Sequence, residues 1–224
     1  MHKTKYPDRK PFSMSRKQIQ LAVFDLDGTL TKIESTWQYL HIKLGTWDVG
    51  RISAEKYWRG EMTYQEWAEK DSILWKDVSV EKVISVLREI PYVEGATETF
   101  EELKRRGILT GIVSAGISLL ADRAKKELGA DFAVANKLLS EEGELTGKVR
   151  VKVSLRNKDE IIKEMAWMLG VDLENCAVIG DNVFDLPDVV GLKIAFNPKS
   201  RDAREIADIT IDSGDLRDVL EYLV

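Results

Sequence analysis

The chain has 224 residues, enough for one or two domains of ~100 to 200 residues each with a sizeable core. A hydrophobic share of 44% fits an ordinary globular protein, and a formal net charge of −5 excludes a dedicated nucleic-acid surface, which needs concentrated Lys and Arg. Cys176 is the only cysteine, which excludes an intramolecular disulfide or a multi-cysteine metal site and suits a reducing, cytoplasmic setting. No apolar run approaches the ~20 residues of a membrane span, and no secretory apolar region follows the basic start, so neither a membrane nor export is expected.

Residues 1–17 carry Lys3, Lys5, Arg9, Lys10, Arg16 and Lys17 against Asp8 alone, with Pro7 and Pro11 between them. They read as a flexible basic arm: a solvated terminus, with Met14 as an alternative start, or else an anion-binding tail. Leu21 to Thr31 then reads as a buried parallel strand that runs out into acids and a glycine, Asp25-Leu-Asp-Gly28. With a period near two, Asp25 and Asp27 point to one side. Two carboxylates that close repel, and a cation, a shared proton or an incoming electrophile must offset the repulsion.

From residue 33 to residue 93 the pattern turns helical and aromatic, which predicts an inserted helical domain. Thr63 and Glu66 have capping-box spacing, and Val83, Ile84, Leu87 and Ile90 recur at helical intervals. Trp37, Trp47, Trp58, Trp67 and Trp75 all lie here. Large aromatics in a small bundle ordinarily fill its core, and that is how we read them; a pocket wall is the alternative.

The α/β alternation resumes at Glu94. A helix is predicted over Thr97 to Arg106, and a strand over Ile108 to Val113 ending at Ser114. Ser114-Ala115-Gly116 then opens a helix from Ile117 to about Leu128, where Ser114 acts either as an N-cap or in an anion site. A short strand follows over Asp131 to Val134, then a hairpin from Lys137 to Val151. A helix starts at Asn157, with Glu160 completing a capping box, and ends at Gly170. Lys158 at its first position opposes the helix dipole, so either an anion lies nearby or the side chain is solvated. Ala177 to Gly180 is a strand ending in Asp181, with Asp185 and Asp188 beyond it, and strands near 193–196 and 208–211 complete the sheet.

Successive strand ends of a parallel sheet share one rim. That rim would hold Asp25, Asp27, Ser114, Asp181 and Asp185, with Lys158 on a helix start. Oxygen ligands without Cys or clustered His select a hard cation, and Mg²⁺ is the usual choice beside phosphate. A carboxylate nucleophile, a metal, a lysine and a hydroxyl make a phosphoryl-transfer site. A serine-hydrolase reading lacks a base, because the only histidines are His2 and His41.

Asp25-Leu-Asp-Gly-Thr29, Ser114, Lys158 and Gly180-Asp181-x-x-x-Asp185 resemble the four motifs of the haloacid dehalogenase-like hydrolases, over nearly the whole chain. The phosphoserine phosphatase branch is nearest, through the helical insertion, the Glu94-Gly95-Ala96 return, and the Val-Ser-x-Gly and Asn-Lys motifs. The resemblance implies an α/β fold, with a Rossmann-like core of mostly parallel sheet at 18–32 and 94–224 and an inserted α-helical cap at 33–93. It implies that Asp25 attacks phosphorus to form an aspartyl-phosphate and that Asp27 acts as acid, then base. Thr29, Ser114 and Lys158 would hold the phosphoryl group, and Mg²⁺ would be bound by Asp25, Asp27 (through its carbonyl), Asp181 and Asp185.

In the cap, Glu34 falls where the branch reads the substrate's amino group. The arginine that grips its carboxylate falls, on an ungapped reading, at Asp71. Both are read either as substrate-specificity residues or as solvated helix faces, and Asp71→Arg is expected to raise phosphoserine turnover. The expected function is a Mg²⁺-dependent phosphatase acting on a small phosphorylated metabolite, as a monomer or homodimer. Alternatives are phosphoserine phosphatase proper, a phosphomutase, or a catalytically silent binding protein on the same fold.

Overall fold

A computed structural model describes residues 18–224; the basic arm at 1–17 lies outside them. The first strand, β1 (Leu21–Phe24), is buried along its whole length. Ala22 and Phe24 enter one apolar cluster while Leu21 and Val23 enter another, so alternate side chains fill both faces of the sheet. Burying each of the three larger side chains contributes about 2 kcal/mol.

The chain next forms four helices, α1 (Thr36–Leu44), α2 (Trp47–Trp58), α3 (Tyr64–Ile73) and α4 (Val80–Arg88). The predicted capping box is present at α3: Thr63 accepts from the Glu66 backbone, and Glu66 accepts from the Thr63 N–H at 2.7 Å. There follow α5 (Ala96–Arg105), β2 (Leu109–Ile117), α6 (Ser118–Leu128), β3 (Phe132–Glu141), β4 (Glu144–Arg150), α7 (Lys158–Leu169), β5 (Cys176–Gly180), β6 (Leu192–Phe196), α8 (Arg201–Ile206), β7 (Ile209–Ile211) and α9 (Leu220–Leu223).

These strands make one seven-stranded sheet in the order β4-β3-β2-β1-β5-β6-β7, parallel except for the edge strand β4, which pairs antiparallel with β3. The expected Rossmann-like, mostly parallel core is therefore the fold. β1 lies at its centre, paired in parallel with β2 on one side and β5 on the other. Strand order reverses at β1, so its carboxyl end opens the crevice in which such sheets bind ligands. The helical stretch leans on the far side of the same rim, where α3 packs against β4 and α4 against α6. No helix among the described residues is long and apolar enough to cross a membrane.

Three local expectations change. β2 does not stop at Ser114 but runs to Ile117, with its register against β3 shifting between Val113 and Ile117. Ser114 is thus a strand residue rather than a helix cap, because the ladder to β3 outcompetes an early helical turn. β3 likewise runs through the predicted break at 135–136, since the buried Asn136 satisfies its side chain while staying in the strand. The Asn157 side chain makes no capping bond at α7. Its Oδ1 accepts from the Ser154 N–H at 2.7 Å and its Nδ2 donates to the Lys152 carbonyl at 3.2 Å, shaping the loop that delivers Lys158.

Candidate active site

The carboxyl ends of β1, β2 and β5 and the start of α7 meet the helical stretch at a cavity of about 170 Å³. Asp25, Asp27, Glu34, Ser114, Lys158, Asp181 and Asp185 all line it. The Lys158 ammonium, 4% exposed, lies 2.5 Å from Asp25 Oδ1 and 2.5 Å from Asp185 Oδ1. Of the two readings open for a lysine at a helix start, the structure selects the nearby anion. Burial acts to lower the lysine pKa, but Asp185 and Asp25 outweigh it and hold the ammonium charged.

The carboxylates are crowded. Burial raises the Asp25 pKa well above its usual range, Asp185 adds to this, and Lys158 only partly offsets it. Burial and Asp185 together push Asp181 up to about 7. One oxygen from each of Asp25, Asp181 and Asp185 lies within 4.8 Å of the other two. Lys158 holds two of these three acids, and an all-oxygen cluster of this kind suits a hard divalent cation. The Asp27 carboxylate is not part of the cluster.

Close backbone approach makes this packing possible. Gly28 adopts φ +84°, and a Cβ there would sit 2.5 Å from Asp181 Oδ2. The turn after β1 therefore needs glycine both for its conformation and for room beside the acid.

Asp27 is held differently. Its Oδ2 accepts from the Thr36 N–H and its Oδ1 from the Thr36 hydroxyl, both at 2.6 Å. Burial raises its pKa and these two bonds restrain the rise, leaving the net direction upward. A carboxyl that keeps its proton more readily than usual can donate it to a departing oxygen. Thr36 was not singled out in the sequence, although it opens a helix nine residues beyond the acid, where dipole and free N–H favour a carboxylate.

Ser114, buried, accepts from the Gly116 N–H at 2.9 Å. The neighbouring Ala115 carbonyl is a junction: Trp37 Nε1 donates to it at 3.0 Å, Asn136 Nδ2 at 2.8 Å, and the Tyr64 hydroxyl also donates to it. Asn136 in turn donates to the Val153 carbonyl at 2.8 Å and accepts from the Lys152 and Val153 N–H groups at 2.8 and 2.9 Å. One amide thus ties the Ser114 strand to the loop before Lys158. Nothing in the motif spacing points to it, because its partners, the Tyr64 hydroxyl among them, are 16 to 72 residues distant.

Two expected residues lie elsewhere. Thr29 is fully buried and does not line the cavity; its Oγ1 has no hydrogen-bond partner among the described residues. Asp71 is 1% exposed on the inward face of α3, with Oδ2 3.1 Å from His41 Nε2. Neither a solvated face nor a substrate contact describes it. Helical periodicity turns Asp71 toward His41, whose Nδ1 meets Thr46 Oγ1 at 2.7 Å. The expectation that Asp71 reads the substrate is corrected accordingly. Glu34 does line the mouth, paired with Lys199 at 2.6 Å.

The tryptophans divide their roles. Trp75 is fully buried and stacked on Trp37 at 5.6 Å, as core packing predicts. Trp37, Trp58 and Trp67, with Tyr64, line the cavity, so the alternative reading holds for these.

A sheet whose central strand ends in paired acids, with a lysine and further acids gathered around them, defines an α/β enzyme of phosphoryl chemistry. The profile of the haloacid dehalogenase-like hydrolases matches residues 22–187, and the chain belongs to that family. The phosphoserine phosphatase of Methanocaldococcus jannaschii is 36% identical over 210 residues, which cover 92% of this chain and 99% of that one. The phosphoserine phosphatase of Archaeoglobus fulgidus is 34% identical over 210 residues, covering 92% of this chain and 60% of that protein. A substrate-bound phosphoserine phosphatase structure superposes with a TM-score of 0.80 at 33% identity, over 93% of this chain and 100% of that one. Within the family the chain falls in the phosphoserine phosphatase-like branch, and it is a phosphoric monoester hydrolase.

Proposed function

We propose that the chain is a Mg²⁺-dependent phosphatase that hydrolyses small phosphomonoesters through an aspartyl-phosphate on Asp25. The observation that carries this is the buried triad in which Lys158 holds Asp25 and Asp185 at 2.5 Å each, beside Asp27 in one cavity. In this reading Asp25 attacks phosphorus in line with the ester oxygen. Asp27 gives its proton to the departing oxygen as the P–O bond breaks, then takes one from the water that hydrolyses the acyl phosphate. Ser114 and Lys158 hold the phosphoryl oxygens and offset their developing charge. Asp25, Asp181, Asp185 and the Asp27 carbonyl would hold Mg²⁺, which when bound neutralises phosphoryl charge as a Lewis acid.

Residues 18–32 and 94–224 act as the catalytic core and 33–93 as a cap that excludes water. The bonds from Trp37 and Tyr64 to the Ala115 carbonyl support this division, since they anchor the cap region beside Ser114. A small metabolite is the partner that the cavity of about 170 Å³ suits. Action in the cytoplasm, as a monomer or homodimer, completes the proposal. Phosphoserine, the substrate in the relatives' names, is the second reading, supported by Glu34 at the mouth.

The test is phosphate release from p-nitrophenyl phosphate with Mg²⁺ and with chelator. Release that depends on Mg²⁺ and falls at least ~10³-fold in a folded Asp25→Asn variant is expected. Near-normal turnover by that variant would remove Asp25 from the nucleophile's role.

A further inference from the structure

Beyond the reacting floor, the cavity is walled by Trp37, Trp58, Tyr64 and Trp67, with Glu34 at the mouth. The faces are held in place from behind. Tyr57 stacks on Trp67 at 4.8 Å and Tyr64 meets the same indole edge-on at 5.5 Å, while Trp58 approaches Phe184 across the mouth at 6.5 Å.

A leaving group with a carboxylate calls for a guanidinium or ammonium in that wall. Among the described residues that line it the only cation is Lys158, already held by Asp25 and Asp185. Arg156 approaches the Tyr57 hydroxyl but does not line the cavity. Lys199 reaches the mouth only as the partner of Glu34, in a pair whose side chains are 57% and 74% exposed. So open an ion pair is weak and exchanges readily for another ammonium. Aromatic faces present negative potential, which favours a cation close to them, and among the described residues five acids against one lysine line the same space.

We propose that the leaving group is a small alcohol that bears an ammonium and no carboxylate, so that the substrate is the phosphomonoester of an amino alcohol. The inference rests on the phosphatase reading above and specifies its substrate. The ammonium sits against the faces of Trp58 and Trp67 with Glu34 as its counter-charge. Hydrolysis breaks the P–O bond to the amino alcohol, whose oxygen takes the Asp27 proton, and water supplies the oxygen of the released phosphate.

The experiment compares kcat/KM for phosphocholine and phosphoethanolamine with that for 3,3-dimethylbutyl phosphate, the uncharged isostere of phosphocholine. Phosphoserine and p-nitrophenyl phosphate complete the panel. At least one of the two ammonium esters should exceed both the isostere and phosphoserine by tenfold or more. Glu34→Gln and Trp58→Leu should each narrow that ratio several-fold; Trp58 is 61% exposed, so its replacement leaves the core intact. Equal turnover of the isostere would reduce the wall to an apolar surface, and a preference for phosphoserine would mean that a carboxylate is accommodated; either result overturns the inference. Release from p-nitrophenyl phosphate in those cases leaves the phosphatase reading standing, whereas no release from any ester removes both.

Discussion

The floor and the wall of the cavity meet around one substrate-sized space, yet they hold their side chains by opposite means. Asp25, Ser114 and Asp181 sit in or directly after strands β1, β2 and β5, where the parallel ladder places each residue and neighbouring charges then set its ionisation. Trp37, Tyr64 and Trp67 come from two helices that have no ladder in common; a shared carbonyl, Ala115 O, and an edge-on ring contact align them. Changes in the floor should therefore alter chemistry while the fold persists. Changes behind the wall should alter folding first.

After that of Asp25→Asn, the largest effect expected is that of Asp27→Asn. An amide cannot protonate a departing alkoxide, so turnover of an alkyl phosphate should fall about 10² to 10⁴-fold. The fall should be much smaller for p-nitrophenyl phosphate, whose leaving group needs no proton. Equal losses on both esters would make Asp27 a positioning group rather than the acid.

Behind the wall, Asp71→Arg should destabilise the protein by about 3 to 5 kcal/mol, because it removes the His41 partner and buries a guanidinium that has no counter-charge there. A fall in Tm is the readout. A variant that melts like the parent and gains phosphoserine turnover would return Asp71 to the substrate.

A smaller effect separates the floor from the rest through pH. Asp181 has its pKa raised to about 7 in the folded state by burial and by Asp185, and Asp25 and Asp27 shift in the same direction. The folded protein then binds more protons than the unfolded chain between the unfolded carboxylate pKa and the folded one. Stability without metal is full below about pH 4 and is lost as pH rises to about 7, by on the order of 2 kcal/mol after allowing for solvent screening at Asp181. Saturating Mg²⁺ should abolish this slope, since a bound cation favours the ionised acids. Urea titrations at pH 5 and pH 8 with chelator and with Mg²⁺ measure it, and a metal-independent slope would move the cation elsewhere.

The same contrast explains what could be read in advance. Asp25, Asp27, Ser114, Asp181 and Asp185 were legible because each follows or ends a short apolar strand, and in a parallel sheet those ends share a rim. Lys158 was legible as an anomaly, a cation at a helix start, which the two acids now explain. Thr29 was placed by its position in the first motif and Asp71 by an ungapped alignment; neither says which way a side chain turns, and both turn into the interior. Thr36 and Asn136 went unseen because they act by bonding groups far from them in sequence.

The amino-acid sequence by itself determined most elements of this protein, the family it belongs to and the acids at the rim of its sheet, because strand periodicity, glycine turns and motif order are local properties. Only the tertiary structure decided which tryptophans became wall and which core, that Asp71 pairs with His41, and that the Ala115 carbonyl joins the helical stretch to the sheet. Each of these depends on contacts between helices and strands that are distant in the chain, and the depth and charge of the cavity follow from how those elements pack.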